Sequence, residues 1–402
     1  MSSRQLQTPQ RGVYATLLRT PHVGSQALLG LFAQLTQGAA PLGLVLVVRQ
    51  ATGSLIAAGA VSAALWVGAA VARPIQGRLI DSHGTRLVML ICGPVHAAAL
   101  VGVVAVARAG GGAWGMILCS ALAGLMLPPV SVAMRVEWGR HVPANELTAA
   151  FSLVFLTQEI ALVTGPLLIA ALVAFGAGVA LITAATISGV ATIGFAALGT
   201  TKSIARADVQ VTSRRHRATA VPVVLAVAFL LGSTLGVFQV AAPSLAITRG
   251  VPALGGILIA AVSVGGITGA LLYGGVRWRA DPIARLLLLL GLLAVATTSL
   301  VAGLPLAVVG LLLAIGGLAL NPAFATTSLL IDRHGGSRGA EAFGWMSTAV
   351  GGGTAAGNAI AGALAQRNGF PPAFFAAAVA AYAALLIVGS DAWRSRSRIP
   401  GR

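Results

Sequence analysis

The sequence predicts an all-α integral membrane protein in which twelve transmembrane helices form two six-helix bundles. Three observations predict it. Of the 402 residues 57% are hydrophobic and only 9% are charged, too few polar side chains to cover a water-exposed surface. The apolar residues fall into twelve continuous runs of about 20, the length that crosses ~30 Å of hydrocarbon, and they do not alternate as barrel strands would. The two halves of the chain also repeat one another.

Taken in order, an N-terminal tail (residues 1–24) carries Arg4, Arg11 and Arg19. Span one, 25–48, is too long for a signal-peptide core, contains Gln34 and Gln37, and is followed by no clear small-residue cleavage site, so it is expected to remain in the mature chain. Span two, 55–76, ends in the polar stretch "GRLIDSHGTR", residues 77–86. Spans three (87–107) and four (113–134) hold Cys92 and Cys119, which at these positions act as small hydrophobes and carry no information on redox compartment. Spans five (149–174) and six (177–199) close an N-terminal bundle, 25–199. Residues 200–220, with a cluster of arginines and no apolar period, read as a linker. A C-terminal bundle, 221–390, follows with spans at 221–246, 254–276, 284–302, 305–329, 343–365 and 371–390, then a tail, 391–402.

The repeat rests on five matches in order. "QGAAP", Gln37–Pro41, reappears as "QVAAP", Gln239–Pro243; Gly77 pairs with Gly274, Pro129 with Pro322, Ala150-Phe151 with Ala342-Phe343, and Gly165 with Gly357. The offset drifts only from 202 to 192, as loop insertions between two copies of a bundle would make it.

A net charge of +17 in a soluble chain would point to nucleic acid, but the placement of the cations decides otherwise. With the N-terminus inside, Arg49, Arg108, Arg249 and Arg367 fall on the outer side, and the other 22 of the 26 Lys and Arg on the cytoplasmic side. That asymmetry predicts a multi-pass protein of the bacterial cell membrane with both termini cytoplasmic, no nucleic-acid partner, and a polyanion no more specific than the bilayer surface.

The residues of 77–86 need individual reasons. Gly77 permits close helix approach and Gly84 can adopt the positive φ of a tight turn. Asp81 at a membrane face is best placed against a helix N-terminus or an arginine, at ~0.3–1 kcal/mol per exposed contact; made in one conformation and lost in another, such a contact biases a two-state equilibrium. A solvated loop obeying the charge rule accounts for the same residues. At this point the stretch resembles the loop signature of the major facilitator superfamily, G-x-L-x-D-R-x-G-R-R, carried by Gly77, Leu79, Asp81, Gly84 and Arg86 and departing at Ser82 and Thr85. Twelve spans, the 6+6 repeat and the basic linker agree with it along essentially the whole chain. "YATLLRTPHV" (14–23) and "EAFGWMSTAV" (341–350) are also similar to a group of actinobacterial members. The resemblance implies alternating access by rocking of the bundles, with Gly77, Asp81, Gly84 and Arg86 as a conformational latch.

Inside the membrane, Glu159 is the one acid well within an expected span. A buried carboxylate costs several kcal/mol unless paired or protonated. It is therefore either a proton-coupling group, with Gln158 beside it, or a neutral acid bonded to a neighbouring helix. Gln37 and Gln239 occupy equivalent places near the pseudo-two-fold axis, Gln34 lies one turn from Gln37, and Asn321 and Asn358 are further amides within spans. These either line a solute cavity or tie helices together at ~0.6 kcal/mol each. His96 either relays a proton or is satisfied locally. Gly265-x-x-x-Gly269 and Gly353-x-x-x-Gly357 read as packing faces, and Thr164-Gly165-Pro166 resembles part of the fifth-helix motif of exporters.

The function expected is a monomeric secondary active transporter of a small organic solute, proton-coupled, using no cofactor or metal. Efflux by antiport is favoured by the Gly-Pro element and by neutral amides suited to weakly polar or cationic compounds. Uptake of a neutral polar solute such as a sugar or nucleoside, and a non-transporting sensor or scaffold, are the alternatives. One Glu and one His on separate spans do not make an enzyme site, and the chain has no P-loop through which ATP would act directly.

Overall fold

A computed structural model of the protein describes residues 13–199, 214–251, 254–368 and 370–397. They form fifteen α-helices: α1 (Val13–Arg19), α2 (Val23–Ala33), α3 (Leu35–Thr52), α4 (Leu55–His83), α5 (Thr85–Arg108), α6 (Ala113–Leu125), α7 (Val130–His141), α8 (Leu147–Leu172), α9 (Ala177–Leu198), α10 (Arg214–Thr248), α11 (Leu254–Gly274), α12 (Pro282–Ser299), α13 (Leu306–His334), α14 (Gly339–Asn368) and α15 (Phe370–Ser397). The helix is the form in which an apolar segment satisfies its own backbone in lipid. Counting α2–α3 and α6–α7 as one rod each, eleven segments among the described residues are long and apolar enough to cross a membrane. The 30-residue α14 has the length, but seven glycines and Asn358 dilute its apolar character.

Two of the expected spans are broken. At Gln34 the backbone N–H turns to both Gly30 and Leu31 carbonyls, 3.1 and 3.2 Å away, and ends α2. Between α6 and α7, Pro128 and Pro129 remove two successive N–H donors, so helical hydrogen bonding cannot continue. Pro322, the repeat partner of Pro129, stands alone and α13 runs through it. The carbonyls freed at Pro128-Pro129 are taken by α4 and α5: Gln76 Nε2 donates to Leu125 and Leu127 (3.0 and 3.1 Å), Arg73 Nη1 to Pro128 (3.2 Å), and His96 Nδ1 to Ala123 (2.7 Å). His96 Nε2 lies 3.0 Å from the Thr36 hydroxyl, which lies 3.3 Å from Ser188 Oγ, and Ser188 donates to Ala33 at the other break (2.7 Å). One buried polar chain therefore joins both breaks.

Helix pairs meet through glycine, and the same pairs recur in the two halves. A Cβ on Gly68 or Gly124 would strike the backbone across the α4–α6 contact, and one on Gly265, Gly269 or Gly317 would do so across α11–α13. Gly38 and Gly165 play that part between α3 and α8, as Gly232, Gly236, Gly353 and Gly357 do between α10 and α14.

Several helices run past the expected span ends. Because α4 continues to His83 and α7 to His141, Asp81, Arg135 and Glu137 lie within helices, as Arg73 and Arg285 do inside their expected spans. Glu159 is thus not the sole acid inside one: Glu137 is buried and accepts a hydrogen bond from Thr85. Residues 13–24 are folded, with Val13 and Leu17 buried in the core. Arg4 and Arg11, most of the expected linker (200–213) and residues 398–402 lie outside the described residues; α10 starts within that linker and α15 extends into the expected tail.

Candidate functional site

The two halves meet most closely at the end where α1 lies. Along one side α4 and α14 run antiparallel. Asp81 Oδ1 accepts from the Ala340 N–H (3.0 Å) and Oδ2 from the Glu341 N–H (2.8 Å). These donors belong to the first turn of α14, which no residue of α14 can satisfy, so Asp81 caps that helix from the opposite half. The approach is possible because a Cβ at Gly77 would strike the Ala340 carbonyl, and one at Gly344 the Arg73 carbonyl. One turn further along, the Thr348 hydroxyl donates to Ala70 (3.0 Å). Arg78 Nε donates to Glu341 Oε1 at 2.7 Å, with the arginine side chain 63% exposed, a surface pair of little net strength. Gly84 has φ 84° and starts α5, and Arg86 is exposed.

On the other side α8 faces α11 and α13. Glu159 Oε1 accepts from Asn321 Nδ2 at 3.3 Å, and the Ser263 hydroxyl of α11 lies near the same carboxyl. One turn toward the α1 end, Phe155 stacks on Phe324 with ring centroids 5.5 Å apart. Arg135 then lies over Phe155, its Nε donating to Ser328 (3.1 Å) and its Nη1 to Ser131 (3.1 Å). Asn321, Phe324 and Ser328 recur at helical spacing along α13, so one face of that helix holds all three groups. Further out, Arg285 donates to Thr148 (3.2 Å) and Arg277 to Glu146 (3.3 Å). Tyr14 of α1 donates to Ala270 at 2.6 Å, and burial pushes its phenol up from the ordinary tyrosine range.

The buried apolar core is continuous across the halves at this end, from Phe151 and Val154 to Phe324 and Phe343. At the far end the N-terminal half keeps its own cores, one around Leu44, Leu65, Leu100 and Leu181, the other around Ala39 and Ile169.

The sequence-derived residues separate accordingly. Glu159 and Asn321 are brought together, and Gly77 and Asp81 touch α14. Gln34 is fully buried within the N-terminal half, where it donates to Gly30 (2.9 Å) and Thr157 (3.4 Å) and braces the α2–α3 break. Gln37 is half-buried and Gln239 exposed, each on its own half. Gln158 and Asn358 each keep a buried carbonyl oxygen with no protein donor among the described residues. Sequence reasoning missed Arg135, Arg285 and Tyr14. The expected span four ends at Met134, and extending it by one residue would have placed Arg135 inside it.

A family model described as "Major Facilitator Superfamily" matches residues 27–340. No curated protein matches the chain. Among solved structures the chain is similar to a bacterial homologue of the iron transporter ferroportin in an outward-facing state, with TM-score 0.74, 17% identity, and coverage of 93% of this chain and 99% of that one. It is similar to the human organic anion transporter MFSD10 (TETRAN), with TM-score 0.71, 17% identity, and coverage of 95% and 100%. It is also similar to FucP in an outward conformation, with TM-score 0.70, 13% identity, and coverage of 92% and 98%. At these identities the likeness shows the fold alone. The actinobacterial grouping expected from residues 14–23 and 341–350 is not supported, two ten-residue stretches being too short to specify a source.

Proposed function

The chain belongs to the major facilitator superfamily, and from that premise we propose that it exports a small organic solute by alternating access, with a proton carried on Glu159 as the coupling ion. Members of the family are secondary transporters and not enzymes, so multi-pass membrane transport is the premise and the coupling is the proposal. The observation that carries the reading is the hydrogen bond from Asn321 to Glu159 at 3.3 Å. It joins the halves through an acid well within α8, so rocking them apart must break it. A neutral carboxyl is tolerated there by an amide and a hydroxyl, whereas a charged one needs water or a cation. The conformational step and the protonation step then act on one group.

The excess of arginine on the α1 side supports a cytoplasmic placement of that side and of both termini. On that placement the structure is closed toward the cytoplasm, with Asp81 as the latch. The unpaired amide oxygens of Gln158 and Asn358 are the groups a polar solute would satisfy, and the protein acts as a monomer in the cell membrane.

A thermal-shift screen of the purified protein against a metabolite and drug panel should identify the solute, since a ligand that binds the folded form raises its melting midpoint. In proteoliposomes with an entrapped pH dye, that solute should then drive proton movement. Glu159→Gln is expected to bind the solute within a few-fold of wild type and to lose proton movement. Retention of wild-type movement would remove the coupling role.

A further inference from the structure

Arg135 is the group that the transport reading leaves unexplained. It is only 4% exposed, and among the described residues no carboxylate pairs with it. The charged neighbour it does feel is Arg73, of the same sign. Its surroundings are three phenyl rings and neutral acceptors: Phe155 at 4.7 Å and Phe343 at 5.9 Å from the guanidinium carbon, Phe324 stacked on Phe155, the Ser328 hydroxyl and the Ser131 carbonyl. A guanidinium carries five N–H donors in a planar fork. The bonds through Nε and Nη1 use two of these and leave both Nη2 hydrogens and the second on Nη1 unassigned; the Nη1–Nη2 edge is one with which arginine grips a carboxylate or phosphate in bidentate fashion.

A buried cation held this way is costly for a purely structural brace, because neither serine group neutralises it. Ring faces compensate part of the charge. Two of the contacts, to Ser328 and Phe343, come from α13 and α14 of the other half, so they are lost when the α1 end opens. Arg135 remains on the N-terminal half with Phe155, bare of its partners and next to a second cation.

We infer that Arg135, with Phe155, Phe324 and Phe343, forms the binding site for the anionic group of the transported solute, which is a small organic anion with an apolar or aromatic body. The guanidinium fork takes the carboxylate or phosphate, the phenyl rings of the two facing halves line the space for the body, and the site becomes accessible when the α1 end opens. This deepens the transport reading and rests on it. It also replaces the weakly polar or cationic solute expected from the sequence, where Arg135 lay just beyond a span end.

The test uses the purified full-length protein with benzoate and phenyl phosphate as probes and benzamide as the uncharged counterpart of benzoate. The anions are expected to raise the melting midpoint by several degrees and benzamide to leave it unmoved. Arg135→Gln should weaken anion binding, read by intrinsic tryptophan fluorescence, at least tenfold. Arg135→Lys, which keeps the charge without the fork, should retain part of the affinity and lose more for phenyl phosphate. Should Arg135→Gln not fold, Arg135→Lys carries the comparison. The inference is overturned if neither anion outperforms benzamide on wild type, or if the Arg135 variants bind like wild type. The proton proposal is read separately, as solute-driven proton movement in proteoliposomes. Loss of the coupling role with anion binding intact therefore removes only the proton proposal, and the reverse result removes only the anion site.

Discussion

His96 shows how a titratable side chain within a span can serve the backbone and not the transported species. A carbonyl can only accept, so Nδ1 carries the hydrogen toward Ala123 and Nε2 of the neutral ring accepts from Thr36. Both nitrogens are occupied by the repair of a helix break, which leaves no free site for a travelling proton. His96→Leu should therefore leave the Ala123 carbonyl and the Thr36 hydroxyl unpaired, at a cost of about 1–3 kcal/mol per buried group. The expected result is a lowered melting midpoint with the pH dependence of solute-driven proton movement unchanged. An altered pH profile at unchanged stability would return His96 to the relay role. Glu159 contrasts with it because its partner Asn321 belongs to the other half, so on the proposed mechanism the bond is broken when the halves part.

At the scale of elements, the glycine contacts set how closely helices lie. Gly353 and Gly357 sit over the Phe229 and Ser233 carbonyls, while Gly232 and Gly236 of the facing helix sit over Val350 and Thr354. Neither backbone can retreat without separating α10 from α14, so Gly353→Val should cost about 1–3 kcal/mol by overpacking. Gly351→Ala, where a Cβ meets open space, should be neutral in the same thermal assay. A loss at Gly351 equal to that at Gly353 would show that the close contact with α10 is not what governs. Both members of Gly353-x-x-x-Gly357 lie on one helix, and for that reason they were legible in the sequence; which helix they meet was not, because it depends on the fold. Arg135 and Glu137 were hidden for a different reason. The apolar run of span four ends at Met134, one residue before Arg135, whereas α7 continues to His141, its start held as Arg73, Gln76 and His96 take up the carbonyls that Pro128-Pro129 release. Glu159 stood out as an isolated acid, but its partner Asn321 lies 162 positions away.

For the whole molecule, the proposed alternating access implies an equilibrium between two closed forms that depends on contacts present in only one of them. Asp81 supplies two charge-assisted hydrogen bonds to α14, and Tyr14 supplies one to α11 from a helix that precedes the first span. The two act at opposite sides of the α1 end, so their losses should add. Asp81→Asn keeps an acceptor but removes the charge that the first turn of α14 favours, which should weaken the closed form by about 1–2 kcal/mol and shift the population five- to thirtyfold. Tyr14→Phe removes a single neutral bond, at about 0.5–1.5 kcal/mol, and should shift it two- to tenfold. Neither substitution touches the stacked Phe155–Phe324 pair, so folding should persist. The measurement is the labelling rate of a single cysteine placed at Ser328 in a background where Cys92 and Cys119 are replaced. That position is buried against Arg135 in the closed form and reachable only when the α1 end opens. Labelling should be slow in the parent, faster with Tyr14→Phe, faster still with Asp81→Asn, and fastest in the double variant. Equal rates in all four would mean that the α1 end is held shut by the apolar core alone and that the polar loop from Gly77 to Arg86 is a solvated turn.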